Sequence, residues 1–364
     1  MCPMTTRKSP IYMIAVSTAM MILIFDAKTA FSGVSEGIML CLTTVIPSVF
    51  PFFVISILLT GLSSTCPQKF LRPVGKILSL PENCESLLLI GFLGGYPVGA
   101  QSIRQVYSAG NLSRSDAQRM LAFCSNAGPS FIFGIGSVIL PDSRLCWWIW
   151  LVHILSALIV GWLTPSKVSA SNAKIHIPTI SLTEAVNKSV RVMGTVCSWI
   201  ILFRVILAFF QKWFLWILPQ TLAVFFSGLL ELSNGCAQLL QVPSVASRFC
   251  FFSIFLSCGG LCVALQTHAV LSGSGLSTLP YLFGKAAQGA ISGLLCILLI
   301  PIILPGTANT ILSTVLALPS VLICLLYYFC YSRAKKDIAF PQMLVYNNSS
   351  NSVGSTYEAV SKEN

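Results

Sequence analysis

A glycine-rich string within an apolar stretch has the residue types and spacing of a small-molecule contact, and it reads Gly94-Gly95-Tyr96-Pro97-Val98-Gly99-Ala100-Gln101. Glycines let a ligand come close to the backbone, and Pro97 leaves a carbonyl free because it lacks an N–H group. A helix that resumes after such a break presents unpaired N–H groups, which favour an anion. The string therefore predicts an anion-binding turn, with a tight structural turn as the alternative. The predicted substrate contacts in it are Gly94, Gly95, Tyr96, Pro97, Gly99 and Gln101.

A carboxylate with small polar neighbours forms the second candidate group, in the string LLELSNG at residues 229–235. Glu231 is surrounded by apolar residues, where an ionisable side chain is costly and is a functional candidate by default if the segment lies in a membrane. It could couple H⁺ or Na⁺, contact a substrate, or cap a broken helix. On this basis Glu231, Asn234 and Gly235 are predicted substrate contacts.

Four further positions interrupt apolar segments, and we include Asn126, Gly128, Arg204 and Gln266 among the predicted substrate contacts. Amide side chains in such places either contact a substrate or join neighbouring helices, and the sequence leaves both open. Arg204 could pair with Glu231, extend to the membrane surface, or meet an anionic substrate.

No pattern typical of catalysis, metal binding or cofactor binding accompanies these residues. The sequence has no Ser/His/Asp, Walker or HExxH arrangement, and His153 and His268 stand alone in apolar helices. The 14 cysteines form no CxxC pair and lack zinc-ligand spacing, so they are interpreted as small buried hydrophobic residues. We therefore expect no enzymatic activity, no metal and no cofactor.

The composition places all of these residues in a membrane protein. The 364 residues are 55% hydrophobic and only 9% charged, with a mean hydropathy of +0.82. Soluble domains carry about 25% charged residues. This composition excludes a soluble enzyme, a disordered chain and a nucleic-acid-binding domain, in spite of the net charge of +11.

Apolar stretches of about 20 residues, the length of a membrane-spanning helix, recur along the chain. We predict spans at residues 11–30, 37–62, 117–140, 145–163, 192–210, 246–269, 280–303 and 308–332. The apolar stretches 87–100 and 213–242 are interrupted by glycine, proline or polar residues, and irregular backbone at membrane depth needs protein or a water-filled cavity around it. Both are predicted to be re-entrant hairpins.

Three sequence markers recur in the same order in the two halves of the chain: Glu36-Gly37, Gly94-Gly95 and Ser125–Gly128, then Glu184-Ala185, Asn234-Gly235 and Ser257–Gly260. Three spans and one hairpin in each half would invert the second half relative to the first, and broken helices within inverted repeats are typical of transporters. The expected fold class is an all-α polytopic membrane protein with about eight transmembrane helices plus two re-entrant hairpins in an inverted repeat. The predicted divisions are an extra helix at 1–35, repeats at 36–163 and 184–303, a cytoplasmic linker at 164–183, a final helix at 304–335 and a disordered cytoplasmic tail at 336–364.

The basic residues predict an orientation. With both termini in the cytoplasm, 17 of the 22 Lys and Arg residues lie on the cytoplasmic side, Arg119 and Lys285 among them. Four lie on the outer side, and Arg204 lies within a span. This bias follows the positive-inside rule and accounts for the net charge without nucleic acid.

Four strings carry a resemblance to a known family: GFLGGYPVGAQ (91–101), CSNAGPSFIFG (124–134), LLELSNG (229–235) and CGGLCVALQ (258–266). In this order they resemble the sporulation integral membrane proteins with nucleoside-recognition (Gate) domains, over roughly residues 10–335. That family is similar to the stage V sporulation dipicolinate transporter and, in its paired hairpins and broken helices, to concentrative nucleoside transporters. Many members have a basic residue after Gly-Ala, where this chain has Gln101.

The resemblance implies a multi-pass protein of the bacterial cell membrane that moves dipicolinic acid across the outer forespore membrane during sporulation. The expected partners are a small anionic substrate and the lipid bilayer, with a homo-oligomer left open. Backbone amides at 95–101 and 231–236 would meet the carboxylates of the substrate. A nucleoside or nucleobase transporter and a non-transporting membrane scaffold in spore maturation are the alternatives.

Overall fold

The computed structural model of the protein describes residues 9–63, 69–81, 84–164 and 180–304. These residues belong to one compact unit, Met1–Leu325, while a second unit, Leu326–Asn364, lies outside them. Most of the predicted linker at 164–183, the predicted span at 308–332 and the predicted tail at 336–364 also lie outside the described residues.

All regular secondary structure in the described part of the chain is helical, which confirms the all-α prediction. The α-helices are α1 (Ser9–Phe25), α2 (Ala27–Leu40), α3 (Ile46–Ser63), α4 (Arg72–Ile77), α5 (Glu85–Leu93), α6 (Val98–Ser108), α7 (Arg114–Leu121), α8 (Pro129–Ile139), α9 (Arg144–Leu163), α10 (Leu182–Trp213), α11 (Gln220–Leu230), α12 (Leu232–Gln238), α13 (Val245–Cys258), α14 (Gly260–Leu271) and α15 (Leu279–Ile303). A π-helical turn, Cys41–Val45, joins α2 to α3, so the chain remains helical from α2 through α3.

Short polar side chains set where several of these helices begin. Ser113 Oγ accepts a hydrogen bond from Asp116 N at 3.1 Å, as its capping pattern predicts, and Ser181 Oγ does the same for Glu184 N at 3.2 Å. Asp26 caps α2 through Thr29 N at 3.3 Å. Each cap satisfies a backbone donor that the first helical turn leaves free.

Five helical segments are long and apolar enough to cross a membrane: Ala27–Leu59, Arg144–Leu163, Leu182–Trp213, Val245–Leu271 and Leu279–Ile303. They agree with five of the predicted spans, and the chain is an integral membrane protein with several membrane-spanning helices. Segment Val245–Leu271, formed by α13 and α14, is the most buried of the five, with 78% of its most apolar stretch buried, whereas in Ala27–Leu59 that share is 22%.

Two predicted spans are divided in the structure. The stretch 11–30 is split because Asp26 begins a new helix, which leaves only the short apolar helix Met13–Phe25 before it. The stretch 117–140 is not one helix, because α7 ends at Leu121 and α8 begins at Pro129. Proline has no N–H for a preceding carbonyl and suits the first position of a helix, so Pro129 separates the two.

The same order of helix types occurs in both halves of the described chain. A long helix is followed by a pair broken at 94–97 in the first half and at Glu231 in the second. An interrupted segment then follows, broken at 122–128 in the first half and at Gly259 in the second. The glycine and asparagine markers of the sequence lie at or next to these four breaks.

Two glycines on α2 bring that helix into backbone contact with α10. An ideal Cβ on Gly33 would lie 2.9 Å from Val205 Cα, and one on Gly37 would lie 2.9 Å from Ile201 Cα. Real Cβ atoms essentially never approach a carbon atom so closely. The spacing of the two glycines is that of a GxxxG motif, which allows close helix packing in membranes.

Replacing Gly37 by alanine should therefore lower the thermal unfolding temperature of the protein in detergent. The added methyl group has to push α2 away from α10, at a cost of about 1–3 kcal/mol. Gly194→Ala on α10 is the matched control, because nothing lies within 4 Å of a Cβ there, and its higher helix propensity should stabilise the protein by up to about 1 kcal/mol. Equal shifts for the two variants would contradict this account of the packing.

Candidate functional site

A cavity of about 50 Å³ lies where the two halves of the described chain meet. By volume it holds about three to five water molecules. The residues around it are Val45, Val49, Phe53, Gly95, Tyr96, Ala127, Gly128, Ser130, Phe131, Val196, Ile200, Glu231, Leu232, Ser233, Val263 and Gln266. They come from three of the four helix breaks, from the π-helical turn before α3, and from α3, α8, α10, α12 and α14, so the cavity joins the irregular parts of both halves.

The glycines in and between α5 and α6 have two different uses. Gly95, between α5 and α6, has a φ of +72°, a left-handed conformation that glycine adopts without steric cost. Its backbone lines the cavity, and an ideal Cβ on it would lie 3.1 Å from Gly128 N. Gly91 and Gly99 instead face the carbonyl of Cys124, where any Cβ would overlap it. One glycine therefore opens the backbone to the cavity, while the two others pack α5 and α6 against the break at 122–128.

Tyr96, between α5 and α6, connects this helix pair to the second half of the chain. Its hydroxyl donates a hydrogen bond to the Leu256 carbonyl at 3.2 Å. Its ring packs against Gly259, where an ideal Cβ would lie 3.3 Å from Tyr96 Cζ. The peptide bond between Tyr96 and Pro97 is cis. The side chain of Tyr96 thus bridges the break at 94–97 and the break at Gly259, with one face on the cavity.

Glu231 is a buried carboxylate that caps α12 from within the cavity wall, with 1% of its surface exposed. Its Oε1 accepts from Ser233 N at 3.0 Å, and its Oε2 accepts from Asn234 N at 2.6 Å and Asn234 Nδ2 at 2.7 Å. The backbone amides expected to meet the carboxylates of a substrate are therefore satisfied by Glu231 at residues 233 and 234. What this break presents to the cavity is a carboxylate, not a pair of free N–H groups.

A buried polar network holds the break at 122–128. Lys285 Nζ on α15 donates to Asn126 Oδ1 at 2.9 Å and to Gln288 Oε1 at 2.6 Å. His153 Nε2 on α9 accepts from Ala127 N at 3.2 Å. The network ties α9 and α15 to the irregular backbone, which has no helical partner for its amide groups at this point.

Lys285, Gln288 and His153 were not predicted as site residues. Lys285 lies within the predicted span 280–303 and is counted among the basic residues of the cytoplasmic side, but in the structure it is 2% exposed, inside α15. The signal available in the sequence was a lysine followed three residues later by a glutamine within an otherwise apolar helix. Such a pair lies on one helix face, where the glutamine oxygen can accept a hydrogen bond from the lysine.

Five of the thirteen predicted contacts are brought together around the cavity, namely Gly95, Tyr96, Gly128, Glu231 and Gln266. The other eight, which do not line it, are Gly94, Pro97, Gly99, Gln101, Asn126, Arg204, Asn234 and Gly235. Gln101 is exposed on α6, and Gly235 packs on the backbone of Gly228. Asn234 stands one step behind the cavity, through its hydrogen bond to Glu231, and Asn126 directly precedes Ala127, which lines it.

Arg204 pairs with Glu36 rather than with Glu231. Its guanidinium contacts the Glu36 carboxylate on α2 and donates to Gln211 Oε1 at 3.1 Å. A second ion pair, Lys212 with Asp26, joins the same two helices. Arg204 therefore belongs to the contact between α2 and α10, away from the cavity lining.

Comparison with known proteins supports this assignment to a membrane protein. The chain is 25% identical over 321 residues to "Sporulation integral membrane protein YlbJ" of Bacillus subtilis (strain 168), an alignment that covers 75% of this chain and 78% of the relative. No protein-family model and no solved structure matches the chain. Among the described residues, no group of three or more His, Cys, Asp or Glu side chains could hold a metal ion. The chain is an integral, multi-pass membrane protein distantly homologous to a sporulation membrane protein.

Proposed function

We propose that this protein is a transporter of a small metabolite and that the cavity between the helix breaks is its substrate site. The observation that carries the proposal is the convergence of three breaks, at 94–97, 122–128 and Glu231, on one cavity. Irregular backbone inside a membrane is stable only where protein or water surrounds it, and paired broken helices are the usual setting of a transporter site.

In this proposal the two similarly ordered halves form an inverted repeat, with α5–α6 and α11–α12 as its re-entrant hairpins. Alternating access would come from movement of one half against the other. The cavity is smaller than the roughly 300–1,000 Å³ of sites that enclose drug-sized ligands. The described conformation is then a closed one, and the walls from α3 and α10 must separate to admit a cargo with a ring.

Dipicolinate, a small aromatic dicarboxylate, is the cargo we propose first. The sporulation relative and the resemblance of the four sequence strings to the Gate-domain family support it. Within the site, Phe53, Tyr96 and Phe131 offer aromatic surface, and the ammonium of Lys285 lies 5.5 Å from the centre of the Tyr96 ring. A positive charge behind an aromatic wall favours an anion in the cavity, because the attraction is strong where water is excluded.

A nucleoside or nucleobase is the second candidate, and one observation favours it specifically. The carboxylate of Glu231 lines the cavity together with the amide of Gln266. An acceptor-only carboxylate suits the hydroxyl and N–H donors of a nucleoside and repels a second carboxylate. A cargo with donors would therefore use Glu231 directly, whereas dipicolinate would have to bind on the side of Tyr96 and Lys285.

Uptake of dipicolinate into proteoliposomes tests the proposal, with unlabelled nucleosides as competitors. We expect uptake above that of empty vesicles by the wild-type protein. Gly95→Leu should abolish it because the new side chain enters the cavity wall beside Gly128. The matched control is Gly110→Leu, since Gly110 has a similar φ of +75° but nothing within 4 Å of a Cβ.

The two variants separate blockage of the site from backbone strain, which is similar in both. Loss of uptake in Gly95→Leu with retention in Gly110→Leu supports the cavity as the route. If unlabelled nucleosides inhibit the uptake more strongly than unlabelled dipicolinate does, the second candidate is the cargo. If no tested cargo exceeds empty vesicles, the transport proposal fails and a scaffold in spore maturation replaces it.

A further inference from the structure

The ammonium of Lys285 is buried without a carboxylate partner in the described part of the chain. Its two hydrogen bonds go to the neutral amide oxygens of Asn126 and Gln288, at 2.9 and 2.6 Å. The ring centres of Tyr96 and Tyr281 lie 5.5 and 5.9 Å from Nζ. No ion pair described in the structure includes Lys285. The side chain is thus a cation surrounded by neutral oxygens and aromatic faces.

Both amide oxygens are turned toward Nζ by a second hydrogen bond. Asn126 Nδ2 donates to the Phe123 carbonyl at 2.7 Å, and Gln288 Nε2 donates to the His153 carbonyl at 3.2 Å. Because the NH₂ groups are engaged elsewhere, the oxygens of the two amides point to the same place. The orientation of each amide is consequently set by the backbone.

The surrounding backbone is held by contacts that do not involve the ammonium. Gly284 allows α15 to approach the backbone of Ala122, where any Cβ would overlap it. His153 Nε2 accepts from Ala127 N at 3.2 Å, and its Nδ1 lies 3.1 Å from Ser257 Oγ. The two oxygens would therefore keep their places if the side chain of Lys285 were shortened.

At interrupted helices of transporters, backbone carbonyl oxygens coordinate Na⁺, and aromatic faces attract cations. The side-chain oxygens of Asn126 and Gln288 are carbonyl oxygens too, and they lie next to two aromatic rings. We propose that Lys285 is a tethered cation whose ammonium occupies the place of a monovalent metal ion at the break at 122–128. The wild-type protein then needs no metal ion there, and shortening the side chain to alanine creates a Na⁺ or K⁺ site. This inference does not depend on which cargo the protein carries, or on whether it carries one.

Thermal unfolding of the purified full-length protein in detergent tests the inference, in sodium, potassium and choline chloride at equal ionic strength. The wild-type unfolding temperature should be the same in all three salts. In choline chloride, Lys285→Ala should unfold at a lower temperature than the wild type. Increasing concentrations of Na⁺ or K⁺ should raise the unfolding temperature of this variant, because only the folded state binds the ion. Lys285→Ala combined with Asn126→Ala should lose this response, since one of the two oxygens is gone.

Lys188→Ala is the matched control, because Lys188 is exposed on α10 and pairs only with Glu184 at the surface. It should show no difference between metal ions and choline. An equal cation-specific shift in the wild type, the control and Lys285→Ala would overturn the inference, as would no shift in Lys285→Ala.

If Lys285→Ala cannot be recovered in folded form, Lys285→Arg and Lys285→Gln decide. A tethered cation requires the arginine variant, which keeps the charge, to be recovered in larger amount or to unfold at a higher temperature than the glutamine variant. The inference is overturned if the two variants are recovered in equal amount and unfold at the same temperature, or if the glutamine variant is the more stable one.

Discussion

Replacing Arg119 by methionine should destabilise the protein more than any surface substitution, by about 3–5 kcal/mol. The guanidinium of Arg119 is buried and donates to Ser79, Gly161 and Thr164 carbonyls at 3.1 Å each and to the Leu78 carbonyl. It thereby joins α7 to the end of α4 and to the end of α9. Methionine fills much of the volume but leaves four carbonyl groups without this donor.

The measurement is the thermal unfolding temperature in detergent and the yield of folded protein from membranes. Arg114→Met is the matched control, because Arg114 lies on the same helix and is exposed, and it should leave both quantities unchanged. Arg119→Lys should fall between them, since a lysine ammonium has three donors and cannot reproduce the planar fork of arginine. If Arg119→Met unfolds like Arg114→Met, the guanidinium does not hold these segments together.

The breaks of the helices could be predicted from the sequence because they are local. Gly94-Gly95 and Glu231 interrupt the apolar stretches 87–100 and 213–242, because glycine and a buried carboxylate each disturb a helix through their own backbone or nearest neighbours, whereas the break before Pro129 falls inside the predicted span 117–140. The structure has a break at or beside each of them. Gly95, Tyr96, Gly128, Glu231 and Gln266, five of the predicted substrate contacts, line one cavity, and their contact with a substrate stays a prediction.

The partners of the charged residues could not be predicted, because they depend on which distant segments pack together. Arg119 and Lys285 are both counted on the predicted cytoplasmic side, since a basic residue near the end of an apolar stretch looks the same whether it faces water or buried oxygens. Arg119 binds carbonyls about 40 residues away, and Lys285 binds Asn126 at a separation of 159. Because both are buried, they do not support the predicted orientation, and 15 basic residues remain on the predicted cytoplasmic side.

What each glycine packs against could also be predicted only in part from the sequence. The sequence indicates close approach of a ligand for the string 94–101, yet Gly99 approaches the backbone of Cys124 instead, as does Gly91 outside the string. Close approach to a ligand and close approach to another helix both require the absence of a Cβ. The two cases are distinguished only by whether another helix lies next to the glycine, which the sequence does not show.

Two substitutions of Glu231 should separate its effect on the proposed transport from its effect on stability. One removes the carboxylate, and the other only withdraws it from the cavity. Glu231→Ala removes the acceptor for Ser233 N, Asn234 N and Asn234 Nδ2. We expect it to lower stability by about 1–2 kcal/mol through loss of the helix cap, and to abolish transport. Glu231→Asp should keep the cap, because aspartate is among the best capping residues, but it withdraws the carboxylate from the cavity by one methylene.

The informative result is a Glu231→Asp variant with a wild-type unfolding temperature and transport reduced about tenfold, which corresponds to about 1.4 kcal/mol. Such a difference assigns the carboxylate a contact with the cargo or with a coupled ion in addition to its capping role. Glu184→Gln is the control for loss of a carboxylate, because Glu184 is exposed and its pair with Lys188 is a surface pair worth little. If Glu231→Asp transports at the wild-type rate, Glu231 is only a cap, and recognition in the cavity must come from Tyr96, Gln266 and the backbone around Gly95.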